Sequence, residues 1–109
     1  MKRSFGLHRV GYTPLQKAIA KLDVAFGQMI RARDAQLGCI TCGRADVPTD
    51  AGHFIRREKM STRFSPMNVN AQCRKENRFE GGHTYEYGVA LDCKYFKGTA
   101  ARLSRKVRR

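Results

Sequence analysis

Cys39-Ile40-Thr41-Cys42-Gly43, then Asp50-Ala51-Gly52-His53-Phe54, then Asn68-Val69-Asn70-Ala71-Gln72-Cys73-Arg74-Lys75-Glu76-Asn77 are the segments, in that order, on which the fold is decided. They place a paired-cysteine knuckle first, a lone histidine after small residues second, and an asparagine-cysteine segment closed by a further asparagine third. The two-residue gap between Cys39 and Cys42 lets both thiolates reach one tetrahedral ion, which is half of a zinc site. Cys73 offers a third ligand, and Glu76 stands where a fourth cysteine is expected. A carboxylate can ligate zinc; Cys93 is a substitute if its helix folds back, and reduced, packed thiols are the alternative to any metal.

A lone histidine is more often structural than catalytic. The order His53, Asn68, Asn77 raises its standing, because it matches three jobs in a hairpin-plus-helix metal nuclease. A strand histidine (His53) takes a proton from water. An asparagine on the following helix (Asn77) gives a neutral oxygen to a divalent ion that neutralises the scissile phosphate. An asparagine near the second strand (Asn68) ties down the loop between the strands. A hard cation such as Mg2+ or Mn2+ keeps several waters, so few protein ligands suffice.

Outward from this centre, Thr13-Pro14 reads as a helix start. Leu15, Ala18, Ile19, Leu22, Phe26, Met29 and Ile30 then recur at helical spacing, predicting an amphipathic helix over 14–34 whose stripe serves a core or a dimer interface. Gly38 ends it. Short strands are expected at 51–55 and near 66–69, and a helix over 70–79 stopped by Gly81-Gly82. A further helix starts at His83 or Thr84, with Tyr87, Ala90, Leu91, Tyr95 and Phe96 on one side. A last one runs from Ala100, with Leu103 and Val107 inward and Arg102, Arg105, Lys106, Arg108 and Arg109 outward. Residues 1–12, with Lys2, Arg3 and Arg9, read as a basic arm, and 13–109 as one domain. The fold class is α+β.

The 109 residues carry a formal charge of 22 − 9 = +13. Such a charge points to a polyanion, and DNA is favoured over a membrane surface because no strongly basic amphipathic anchor stands out. No window is apolar enough to span a bilayer and no signal peptide is legible, so a cytoplasmic location is expected. Four cysteines there suit thiols or metal ligands better than disulfides.

The chain resembles the NinG (Rap) family of phage recombination proteins, a branch of the HNH nucleases with a ββα-metal core. The resemblance rests on Phe26-Gly27-Gln28-Met29-Ile30-Arg31-Ala32-Arg33-Asp34-Ala35, Cys39-Ile40-Thr41-Cys42-Gly43 and Ala51-Gly52-His53-Phe54. It continues through Arg63-Phe64, Asn68-Val69, Gln72-Cys73, Asn77, Gly81-Gly82, Tyr85 and the region from Lys94-Tyr95 to Gly98-Thr99-Ala100. It implies a structure-specific endonuclease acting on branched recombination intermediates such as Holliday junctions. It also implies a zinc knuckle, a catalytic divalent ion, and a phage- or prophage-encoded protein working in a bacterial cell. Glu76 departs from the family's second cysteine pair. Gly52 stands where many HNH enzymes carry a metal ligand, so Asp50, on the opposite strand face from His53, or His83 or Glu80, is called on to complete the ion's shell. Arg56, Arg57, Arg63, Arg74 and Arg78 are expected to hold phosphates. Symmetric junction cutting suggests a homodimer. The alternative is a basic DNA-binding protein that keeps the fold without hydrolysis.

Overall fold

Thr13 and Gln16 cap each other at the start of the first helix: Gln16 N–H donates to Thr13 Oγ1 at 3.1 Å, and Thr13 N–H to Gln16 Oε1 at 2.9 Å. With Pro14 at the first position, two of the orphan amide groups of the helix start are thereby removed or satisfied. Helix α1 spans Pro14–Arg33 in the computed structural model, which describes residues 11–107. Most of the expected basic arm, and Arg108 and Arg109, lie outside the described residues.

Strands β1 (Thr49–His53) and β2 (Val69–Cys73) form a two-stranded antiparallel sheet in which Ala51 faces Ala71 and His53 faces Val69. A short helix α2 (Met60–Arg63) sits in the loop between them. A single π-helical turn, Lys75–Phe79, follows β2, and helices α3 (Thr84–Lys94) and α4 (Thr99–Lys106) complete the chain. The domain is therefore α+β, with a strand-strand-helical-turn centre flanked by a long helix before and two after.

Alternation along β1 separates two environments. On the Ala51 side, α1 lies close: a Cβ built on Gly27 would stand 3.7 Å from Ala51 Cβ, so Gly27 lets helix and strand approach. On the other side, Tyr87, Leu91 and Leu103 form a buried cluster, with Ile40, Phe54 and Ile55 packed against it. Of the expected α1 stripe only Ile30 is fully buried, while Leu15, Leu22 and Met29 are exposed.

The second strand departs from expectation. It runs 69–73 and not near 66–69, so the segment expected to open a helix at 70 is strand, and the helical turn begins only after Cys73. The physical reason is a set of distant partners for its polar side chains. Asn70 Oδ1 accepts from Lys94 Nζ at 2.7 Å, Tyr95 Oη at 2.9 Å and Arg33 Nη2 at 3.0 Å. Asp34, 1% exposed, accepts from Arg33, from Lys94 Nζ at 2.9 Å and from the Ala71 N–H at 3.0 Å. These bonds tie the end of α1, the middle of β2 and the end of α3 into one buried polar joint.

Candidate functional site

Gly43 closes the cysteine knuckle with φ 80°, where a side chain would be strained. The knuckle is pinned to the sheet by the Ile40 N–H, which donates to the Ala71 carbonyl at 2.8 Å. Cys39, Cys42, Cys73 and Glu76 bring one ligand atom each within 4.8 Å of one another. Cys42 Sγ and Cys73 Sγ are 4.0 Å apart, and Cys39 Sγ and Glu76 Oε1 are 3.4 Å apart. Ligands on a tetrahedral zinc stand about 3.8 Å apart for two sulfurs and about 3.5 Å for sulfur and carboxylate oxygen. The two pairs Cys42–Cys73 and Cys39–Glu76 stand close to those spacings, and Glu76 Oε1 also meets the Thr41 hydroxyl. Burial, joined by the neighbouring Cys39 and Cys73 thiols, pushes the Cys42 thiol up to about 11, a cost a bound cation would relieve. Cys93 is exposed and outside this group.

His53 ends β1 facing α1. Its ring lines a small cleft of about 150 Å³ with Asp23, Arg31 and Arg57. A wider cleft of about 390 Å³ shares Asp23 and Arg57 and continues along α1 past Gln16 and Tyr12. His53 Nε2 lies 3.0 Å from the Arg63 carbonyl oxygen. A carbonyl only accepts, so Nε2 carries the proton and Nδ1 keeps a free lone pair. Burial lowers the pKa of His53 below the usual imidazole value; the carbonyl contact opposes that, and the charges of Arg57 and Arg63 reinforce it. The lowered pKa favours the neutral ring, which the Arg63 carbonyl orients through Nε2.

Asn68, with no exposed surface, holds the inter-strand loop. Its Oδ1 accepts from the Ile55 N–H at 2.7 Å, and its Nδ2 donates to the Ile55 and Thr62 carbonyls, each at 3.1 Å. Thr62 precedes Arg63, so this clamp also fixes the carbonyl that orients His53.

Asn77 lies across the strand from His53, beside Gly52. It meets Asp50: Asn77 Nδ2 donates to Asp50 Oδ2 at 3.0 Å. Asp50 is also held by Arg78, at 2.8 and 3.0 Å, and by Arg74 at 3.2 Å. Burial alone would raise the Asp50 carboxyl, but the bonds from Arg78 and Asn77 outweigh it, and its pKa lies below the ordinary value. His83 is gathered elsewhere, with Glu76 and Glu80, in a second group whose ligand atoms lie within 4.8 Å. Its Nε2 is 2.8 Å from Glu80 Oε1, and that contact raises its pKa.

The arginines divide in the same way. Arg63 is mostly covered, its guanidinium paired with Asp23 of α1 and bonded to the Arg57 carbonyl at 3.0 Å. Arg56 and Arg57 are exposed in the loop before α2, Arg56 beside Glu58 at 3.3 Å. Arg74 and Arg78 are half-exposed around Asp50. Asp23, the acid that fixes Arg63, carries no local signal in the sequence beyond its place on the His53-facing side of α1.

No helix among the described residues is long and apolar enough to cross a membrane. A family model described as "NinG: Bacteriophage Lambda NinG protein" matches residues 2–105. Protein ninG of Escherichia phage lambda is 30% identical over 87 residues, covering 78% of this chain and 43% of that protein. Protein ninG of Salmonella phage P22 matches to the same extent, and that of Escherichia phage 933W is 29% identical over 92 residues, covering 83% of this chain and 46% of the relative. The chain thus spans less than half the length of the curated relatives it matches. No solved structure matches it.

Proposed function

The chain belongs to the NinG family, and from that premise we propose that it is an HNH-type, metal-dependent endonuclease that hydrolyses phosphodiesters in branched DNA. The observation that carries this reading is His53, its pKa lowered, its ring fixed through Nε2 on the Arg63 carbonyl, lining a cleft together with Arg31 and Arg57. An oriented neutral imidazole next to cationic side chains is what a general base for water attack on a phosphate requires. The order β1, β2, helical turn supports a ββα-metal centre, and Asn68 supplies the loop clamp such a centre needs.

In this mechanism His53 Nδ1 takes the proton of the attacking water. Arg57, with Arg56 beside it in the loop, holds the phosphate backbone, and Arg63 positions the base through its carbonyl. Asn77 Oδ1 would hold the divalent ion. A bound Mg2+ or Mn2+ supplies charge neutralisation at the phosphate and the leaving oxygen. Residues 52 and 53 are adjacent, about 3.8 Å apart along the chain. In this reading a phosphate crossing the end of β1 meets His53 on one face and the ion on the other. The +13 charge, spread over several segments, suits recognition of DNA shape over base sequence.

The cysteine-glutamate set reads as a structural zinc centre. Zinc-loaded protein is expected to contain one zinc per chain by elemental analysis. Stripping it with a strong chelator should lower the melting temperature by at least about 10 °C, a few kcal/mol at this size. Unchanged melting after complete zinc removal would remove the metal from the fold.

The base also sets a pH dependence. The active form of His53 is neutral, and its pKa is lowered, so cleavage should be flat from pH 8 to 7 and fall only as pH drops through a value below about 6.5. Single-turnover rates across pH 5–8.5 check this; an acid limb centred above pH 7 would contradict it.

One observation favours a second reading, a DNA-binding protein without hydrolysis: both oxygens of Asp50 are occupied by Arg74, Arg78 and Asn77, and position 52 has no side chain. Incubation of a four-way junction with Mg2+ or Mn2+ separates the two. Cutting that stops in chelator supports the nuclease, and binding without cutting under either metal supports the alternative.

A further inference from the structure

Two amide oxygens beside β1 are aimed at one point by partners that leave each amide a single orientation. Gln72 is 1% exposed, and its Nε2 donates to the Gly82 carbonyl at 2.8 Å and to Thr41 Oγ1 at 3.1 Å. Because a carbonyl only accepts, the amide nitrogen belongs on that side and Oε1 on the other. Asn77 is set in the same manner: its Nδ2 donates to the Asp50 carboxylate, which turns Oδ1 away from Asp50. Both freed oxygens converge over Gly52. A Cβ placed on that glycine would stand 2.6 Å from Gln72 Oε1 and 3.2 Å from Asn77 Oδ1.

Gln72 Oε1 is buried and has no hydrogen-bond donor, the only buried side-chain polar atom so left among the described residues. An orphaned buried acceptor costs about 1–3 kcal/mol. The donors close by are committed elsewhere: the Tyr87 hydroxyl donates to the Gly52 carbonyl, and Arg74 and Arg78 to Asp50. A hard divalent cation takes neutral carbonyl oxygens and fills its remaining positions with water.

We propose that Gln72 Oε1 and Asn77 Oδ1 together are the protein ligands of the divalent cation, the missing side chain at Gly52 letting both oxygens approach the strand. The inference rests on the divalent-ion reading given above. Asp50 is then a positioning residue: it orients the Asn77 amide and adds negative charge nearby, while its own oxygens stay on Arg74 and Arg78. Thr41 links Gln72 to the knuckle, since its hydroxyl touches both Glu76 and Cys39 Sγ.

The test uses zinc-loaded protein and Mn2+ alone as the probe. Free Mn2+ is followed by electron paramagnetic resonance during titration of the wild type, Gln72→Met and Asn77→Ala, with circular dichroism checking the fold. The wild type should bind one Mn2+, and each variant should bind it about tenfold or more weakly. In the wild type, substoichiometric Mn2+ should also broaden the side-chain amide NMR signals of Gln72 and Asn77 before others, a readout that needs no variant to fold. Unchanged binding by folded Gln72→Met alongside loss in Asn77→Ala would overturn the role of Gln72 and leave the divalent-ion reading standing. Broadening centred on Glu80 and His83 would overturn the proposed location. No Mn2+ binding by the wild type at millimolar metal would overturn the divalent-ion reading and this inference with it.

Discussion

Replacing Asp34 by alanine is expected to destabilise the fold by about 3–5 kcal/mol, a large part of the total stability of a domain this size. Asp34 is 1% exposed and accepts from Arg33, Lys94 and the Ala71 backbone at once. Its removal leaves two cations facing each other and one strand N–H without a partner. Asp34→Asn keeps an acceptor for that N–H and should lose less. The same carboxyl gives an acid dependence. Burial would raise its pKa, but hydrogen bonds from Arg33, Ala71 and Lys94 bring it down to about 2. A carboxyl depressed in the folded state stabilises above its unfolded pKa, so this contribution is complete above about pH 5 and is lost as pH falls from about 4 towards 2. Urea denaturation of the wild type and both variants at pH 7 and pH 3 measures it. Equal stability of Asp34→Ala and wild type at pH 7 would show that the joint contributes nothing.

His53→Ala is expected to lower junction cleavage about 10²–10⁴-fold, the usual share of a positioned general base. Binding should change little, because in this account the ring takes a proton and the arginines hold the phosphate. The fold should survive as well: the variant gives up one hydrogen bond, to the Arg63 carbonyl, worth about 1 kcal/mol. Asn68→Ala is the informative contrast. Asn68 clamps Ile55 and Thr62, so its loss should reduce stability and cleavage together, whereas His53→Ala should reduce cleavage far more than stability. Comparable cleavage by His53→Ala and wild type at matched binding would take His53 out of the mechanism.

The sequence made the long helix legible because apolar residues at three- and four-residue steps and a Thr-Pro start are local signals. The knuckle was legible for the same reason: ligand spacing within four residues is a property of the loop itself. Strand β2 was harder. Asn70 and Gln72 fall in the segment expected as helix, yet both are fully buried in a strand, because their partners lie far along the chain at Arg33, Lys94 and Tyr95 for one and Thr41 and Gly82 for the other. No periodicity reveals a hydrogen bond to a residue tens of positions away. Arg63 shows the converse. Its position in a basic loop suggests a phosphate ligand, and only the tertiary fold shows its guanidinium already occupied by Asp23. The candidate set around His53 divides likewise. The order of His53, Asn68 and Asn77 was visible, but which strand face each one occupies depends on a register fixed by residues that pair across the hairpin.

The most direct test of the central claim is a single assay: a labelled four-way junction and the matching linear duplex, each incubated with saturating zinc-loaded protein in Mg2+, in Mn2+ and in chelator. The account predicts discrete cuts in the junction with either metal, intact junction in chelator, and much slower cutting of the linear duplex. Junction that is bound yet remains whole in both metals would contradict it.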